Sequence, residues 1–254
     1  MQLKRKRPSF LTQYIDLFLI ELTNWRWAWQ SMITLSLIAP LMSMAGLWVF
    51  ARDNGEKALL FVLTGNVILA IMFGTIDKVQ SHFMFMKMQG SFNYFATLPI
   101  KKSALLLAVV TTFFLFNLPA VIVNLFVGSW LLNIQLKIHP LILIVIPLSS
   151  LTLSGIGALI ASYARNPAES GTISTLITFL FLGLGPVLFP PEQLPNVLLQ
   201  IGWLSPGTYA ASALRQTVVG PVTPRFWLDI GVLSVWGLIL FALVERQMEW
   251  RENK

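Results

Sequence analysis

Six apolar runs, each close to twenty residues and each closed by charged, polar or proline-bearing intervals, govern what this chain can fold into. A helix needs roughly 20 apolar residues to cross a hydrocarbon core. The runs at 29–50, 58–76, 104–132, 141–164, 171–189 and 227–244 meet or approach that length. The third is long enough to tilt or to extend past the membrane surface. Composition agrees, since 56% of the 254 residues are hydrophobic and 11% are charged, whereas soluble domains carry about a quarter charged residues. The expected fold is a single all-α integral membrane domain over 1–254, with helices as spans because lipid offers the backbone no partners.

Six spans put both termini on one side. With that side taken as cytoplasm, the inner segments hold Lys4, Arg5, Lys6, Arg7, Arg26, Lys78, Lys87, Lys101, Lys102, Arg165, Arg246, Arg251 and Lys254. The outer segments hold Arg52, Lys57, Lys137, Arg215 and Arg225, a split of 13 to 5 among 18 basic residues. Basic residues gather on the cytoplasmic face of membrane proteins, so both termini are expected inside. The same distribution accounts for the net charge of +7 without a nucleic-acid partner. Tryptophans mark both interfaces, with Trp25, Trp27, Trp29 and Trp250 inner and Trp48, Trp130, Trp203 and Trp227 outer.

The basic run at 4–7 leads into a segment containing Asp16 and Glu21, so no cleavable signal peptide is expected. From Ser9, a plausible N-cap, Leu11, Ile15, Phe18, Leu22, Trp25 and Trp29 step along one helical stripe. The spacing predicts an interfacial helix over 9–28, lying on the inner surface against membrane lipid. Residues 77–102 form the longest inner interval. Within it Gly90 breaks the chain, Ser91 can cap a new turn and Pro99 ends that turn. The short helix 91–98 is expected to present Phe92, Tyr94, Phe95 and Leu98 to water, where such side chains need a partner surface or the lipid boundary.

After the fifth run, prolines at 190, 191, 195 and 206 cut an apolar stretch into pieces too short to span. The segment 190–219 is expected to form an outer re-entrant helix pair, tolerated where protein covers its ends. The fifth run itself carries Thr172, Ser174, Thr175 and Thr178 on its inner half and Phe179, Phe181 and Leu182 in its middle. Helix packing and the lining of a path are both open readings of that pattern.

Catalytic signatures are missing. The sequence has no cysteine, only two histidines (His82 and His139), no phosphate-binding loop, no HExxH motif and no Ser-His-Asp grouping. The acids Asp77, Asp229 and Glu245 fall at span ends, and the mid-span polar residues Asn66, Asn117 and Asn124 cannot take up protons. An ion-coupled carrier or a lipid-modifying enzyme is therefore disfavoured, and no enzyme activity or bound metal is expected.

Taken together, the N-terminal amphipathic helix, six spans, the Gly90–Pro99 segment and the outer FPPEQLP and SPGTYAASALRQ stretches resemble the membrane subunit of bacterial type-2 ABC exporters. The resemblance covers nearly the whole chain, and its most specific elements are Phe189-Pro190, Leu194-Pro195, Pro206 and Arg215. It implies an ATP-driven export permease of the bacterial plasma membrane, with ATP and magnesium held by two copies of a separate ATPase subunit. It also implies pairing with a second permease copy or a paralogue, and no cofactor on this chain. By that resemblance Ser91, Phe92, Tyr94, Phe95 and Leu98 would couple to the ATPase. Asn66, Phe73, Thr175, Thr178, Phe179 and Leu182 would line the substrate path, and Glu192 and Arg215 would stand at its outer gate. The apolar, Phe- and Thr-bearing path suits a hydrophobic or amphipathic cargo such as a drug, a lipid or a lipid-linked molecule. Export of a polysaccharide or lipid-linked glycan is the alternative within the same architecture.

Overall fold

The computed structural model describes residues 9–25 and 29–248. The basic residues at 4–7, Arg26, Trp27, Trp250, Arg251 and Lys254 lie outside the described residues. Every regular element among those described is a helix. In chain order these are α1 (Phe10–Trp25), α2 (Trp29–Ala51), α3 (Gly55–Met72), α4 (Lys78–Met88), α5 (Ser91–Thr97), α6 (Lys102–Leu131), α7 (Ile142–Tyr163), α8 (Pro167–Gly183), α9 (Asn196–Gly202), α10 (Pro206–Val218) and α11 (Pro224–Gln247).

Four stretches are long and apolar enough to cross a membrane: 52–88, 102–131, 142–163 and 224–247. The first expected run forms α2, which contributes the shorter apolar stretch Ser36–Val49, and the fifth forms α8, of 17 residues. The second run does not stop at residue 76. A π turn at Phe73–Asp77 carries α3 straight into α4, so the first part of the expected loop, to residue 88, is an extension of the helix. The reason lies in its side chains, because Val79, His82, Phe83, Met84 and Met86 are buried among α6 and α7 residues. The π turn is braced from α6, where Asn117 Nδ2 donates to the Ala70 carbonyl at 3.2 Å.

Helix α3 is buried on all sides and forms the axis of the bundle. One apolar cluster gathers Val67, Ile68, Ile71 and Met72 of α3 with Leu153 of α7, Leu182 of α8, Leu214 of α10 and Leu233 of α11. A second joins Phe83 and Met84 of α4 to Leu105, Val109 and Phe113 of α6. Without water to drive helices together in lipid, such close packing supplies their association.

Ser9 caps α1, accepting from the Thr12 amide at 3.2 Å. Its face toward the protein is Gln13, Leu17 and Glu21, while Leu11, Ile15, Leu19 and Ile20 are exposed. The apolar stripe is thus divided, with Leu11 and Ile15 outward and Phe18 and Trp25 packed on the inner cluster, and Gln13 Oε1 accepts from the Lys101 amide. The start of α8 is also built locally. Asn166 Oδ1 accepts from the Glu169 amide and Glu169 Oε2 accepts from the Arg165 amide, at 2.9 and 3.0 Å, with Pro167 at the first helical position. This reciprocal cap lets Pro167 begin the helix, where its missing N–H costs nothing.

Candidate functional site

The first candidate locus is the turn of chain at the α4–α5 end. Gly90 has φ +69°, a left-handed conformation open to glycine at little cost, and it reverses the chain onto α4. The cap position of α5 therefore falls on Gly90 and not on Ser91, whose side chain makes no cap hydrogen bond. Leu98 ends the helix in extended backbone, as the residue before a proline must.

That reversal decides which aromatics face outward. Phe92 stacks on Phe83 with centroids 6.2 Å apart and planes at 18°, and both Phe92 and Phe95 pack on the inner cluster. The expectation that they face water is corrected: α5 spends its i, i+3 pair on docking to its own arm. Tyr94 and Leu98 remain outward, with Tyr94 65% exposed. On α4, Phe85 and Met88 are also outward, 55% and 64% exposed, which the sequence pattern did not single out.

The α4–α5 knob is braced from two neighbouring helices. Lys87 Nζ donates to the carbonyls of Ala164 at 2.9 Å and Ser162 at 3.4 Å, tying α4 to the end of α7. On the side of α1, the buried pair Glu21 Oε2 and His82 Nε2 lies at 3.0 Å, with Trp25 edge-on to the imidazole. Behind α5 a cavity of about 230 Å³ is lined by Phe83, Lys87, Phe92, Ala161, Val244 and Met248. Force on Tyr94 would therefore reach α1, α4 and α7 together.

The second locus is the face that α8 shares with α3. Thr178 and Leu182 are buried, and Leu182 packs in the cluster that holds Met72 and receives Phe73. Asn66 is fully buried, donating from Nδ2 to Val62 O within its own helix at 2.8 Å while Oδ1 has no described partner. Thr175 and Phe179 point the other way, with Phe179 58% exposed. The six expected path residues thus divide between an interior seam and an outward surface of one chain. They share no single lining within it.

The third locus is the outer segment. Gly183 ends α8 earlier than expected, and residues 184–190 run as irregular chain before a short 3-10 turn at Pro191–Gln193, then α9 and α10. Glu192 Oε1 takes a 2.5 Å ion pair from Lys57 Nζ at the start of α3, in the open. Hydrogen bonding from Lys57 holds the Glu192 carboxyl below its ordinary range. Arg215 takes no part in that pair. Its guanidinium lies 3.4 Å over the Phe61 ring and donates to Thr64 Oγ1 and to the carbonyls of Pro186 and Val187. The two residues expected at one gate therefore belong to two separate contacts.

Asp229, expected at a span end, is fully buried in the first turns of α11. Its Oδ2 accepts from Ser212 Oγ at 2.6 Å and Gln216 Nε2 at 3.2 Å, and Arg225 Nε stands 4.0 Å from Oδ1. Gln216 Oε1 in turn accepts from the Thr223 amide and hydroxyl. This network clamps α10 to α11. The i, i+4 spacing of Arg225 and Asp229 was its one signal in the sequence.

The arrangement offers a lever and seams between helices. No cluster of metal-ligating side chains occurs among the described residues. A family model described as ABC-2 type transporter matches residues 9–219. No curated protein matches the chain.

Proposed function

This chain belongs to the ABC-2 type transporter family, and we propose that it is the permease half of an ATP-driven exporter for a hydrophobic or amphipathic cargo. It is an integral membrane protein and a transport component of an ABC transporter, a family whose permeases generally work with a separate ATPase subunit. In the proposed arrangement six spans place both termini in the cytoplasm of a bacterium, with α2 and α8 as the first and fifth spans. The α9–α10 pair is a re-entrant outer cap. Two such permeases, identical or related, face each other across Thr175 and Phe179 of α8, and two ATPase subunits bind below.

One observation carries this reading: Tyr94 and Leu98 of α5 and Phe85 and Met88 of α4 are apolar and outward-facing at an end where Lys87 ties α4 to α7 and the Glu21–His82 pair ties it to α1. Exposed aromatics on a rigid mount fit a protein partner better than a solvated turn, since aromatic and Met side chains are enriched in interface cores. ATP binding would draw the ATPase subunits together and displace the knob, and the continuous α3–α4 helix would pass that displacement to the seam with α8. The cargo, in turn, must bind the inward and outward states unequally for the switch to do work.

The test is capture of the partner. Full-length chain should retain a nucleotide-hydrolysing subunit through purification, and Tyr94→Asp should release it while Phe92→Leu keeps it. Retention by Tyr94→Asp with full stimulation of hydrolysis would remove the docking role from this surface.

A further inference from the structure

Helix α10 meets a different neighbour on each of two faces. Ser212 and Gln216 hold Asp229 of α11, whereas Arg215 reaches the opposite way, to α3 and to the irregular chain after α8. No described carboxylate forms an ion pair with Arg215; the acid nearest in kind, Asp229, is already engaged by Ser212, Gln216 and Arg225. A guanidinium stays charged in any protein setting, and the groups in direct contact with this one are neutral: a hydroxyl, a phenyl face and two main-chain carbonyls, with Asp229 acting on it only from beyond hydrogen-bond range.

The place where it sits is a closed joint. A Cβ at Gly65 would come within 2.7 Å of the Val187 carbonyl and 3.1 Å of Leu188 Cα, so α3 and the 184–190 chain touch backbone to backbone. Val187 is fully buried there. The Pro186 and Val187 carbonyls belong to chain that has left its helix, and unwound carbonyls at membrane depth need a donor. Arg215 supplies it to both. A permanent staple for such a cation would use a carboxylate, the strong charge-assisted acceptor. Neutral acceptors hold the guanidinium yet leave its withdrawal within reach.

We propose that Arg215 is the bolt of an outer seal, locking the outer end of α3 to the chain that follows α8, and that the bolt must withdraw for the outward-open state to form. What the seal retains rests on the export reading above; the bolt itself does not. Glu192 and Lys57 form a separate, exposed strap over the same end and do not hold the joint closed.

The chain's lack of cysteine makes the test direct. Val187→Cys and, as a control in the core of α7, Ser150→Cys are each placed in the full-length protein in detergent and timed for reaction with a maleimide. Both side chains are buried, so both should react slowly. Adding Arg215→Gln should speed labelling at position 187 by about ten- to hundredfold, the range a lost charge-assisted hydrogen bond gives a local opening, and leave position 150 unchanged. Equal rates at 187 with and without Arg215 would overturn the bolt. So would acceleration at both positions together, which marks a general loosening of the fold. If Arg215→Gln does not fold, Arg215→Lys, which keeps the charge but loses the fork, carries the same comparison. Neither cargo nor ATPase is needed, so failure here leaves the transport reading standing, and failure of ATPase capture leaves the seal standing.

Discussion

At the scale of single residues, the contacts that matter most here are polar groups held by few partners. Asn166 is the clearest stabilising one, because its side chain and Glu169 satisfy two orphan amides at the start of α8. Asn166→Ala should cost about 1 kcal/mol, read as a lowered unfolding midpoint in detergent. Thr172→Ala, whose hydroxyl bonds only its own helix, should leave the midpoint nearly unchanged. The Lys57–Glu192 pair is exposed, and exposed pairs contribute little. Its pH behaviour nevertheless has a definite sign. Lys57 depresses the Glu192 pKa in the folded chain, so whatever the pair adds is present above the unfolded carboxylate value and is lost as pH falls through the lower, folded one. The small difference in unfolding midpoint between the parent chain and Lys57→Ala, measured in detergent, should therefore be present at neutral pH and vanish on acidification below the folded Glu192 value.

Elements were legible in the sequence where lipid forces the answer. Apolar length, prolines and Gly90 located the helices of the bundle, because a span must satisfy its own backbone and a proline fits best at a helix start, although Pro40, Pro119 and Pro147 lie inside α2, α6 and α7. The pieces α9 and α10 were marked by Pro195 and Pro206, both at helix starts in the structure. Other features were not legible. The run from α3 into α4 looked like a loop because Lys78, Gln80, Ser81 and Lys87 dilute its hydropathy, although its buried side carries Val79, Phe83, Met84 and Met86 beside Gln80 and His82. Which aromatics of α5 face outward depends on the φ of Gly90, and no periodicity in seven residues can report that. Arg215 and Thr64 stand 151 residues apart and Lys57 and Glu192 stand 135 apart, distances over which a single sequence carries no pairing signal. Gly90→Ala tests the reversal as an element: a left-handed alanine costs about 1–2 kcal/mol. That variant should loosen α5 and weaken ATPase stimulation while leaving the unfolding of the bundle near that of the parent.

For the whole molecule, the bracing of the knob and the bolt at the far end describe one rigid path. In the proposed mechanism, displacement would enter at Tyr94, run through α4, the π turn and α3, and arrive where Arg215 joins α3 to the chain beyond α8. Such a path moves cargo only when something pushes on it, and this chain has no phosphate-binding loop with which to push for itself. The most direct measurement is cargo uptake into sealed vesicles holding this chain, with and without the ATPase subunit it captures, in the presence of ATP and an amphipathic fluorescent probe. Uptake should require the subunit and hydrolysable ATP, and should fall to background with Tyr94→Asp. Uptake by this chain alone, or unchanged uptake when the subunit cannot hydrolyse ATP, would contradict the account.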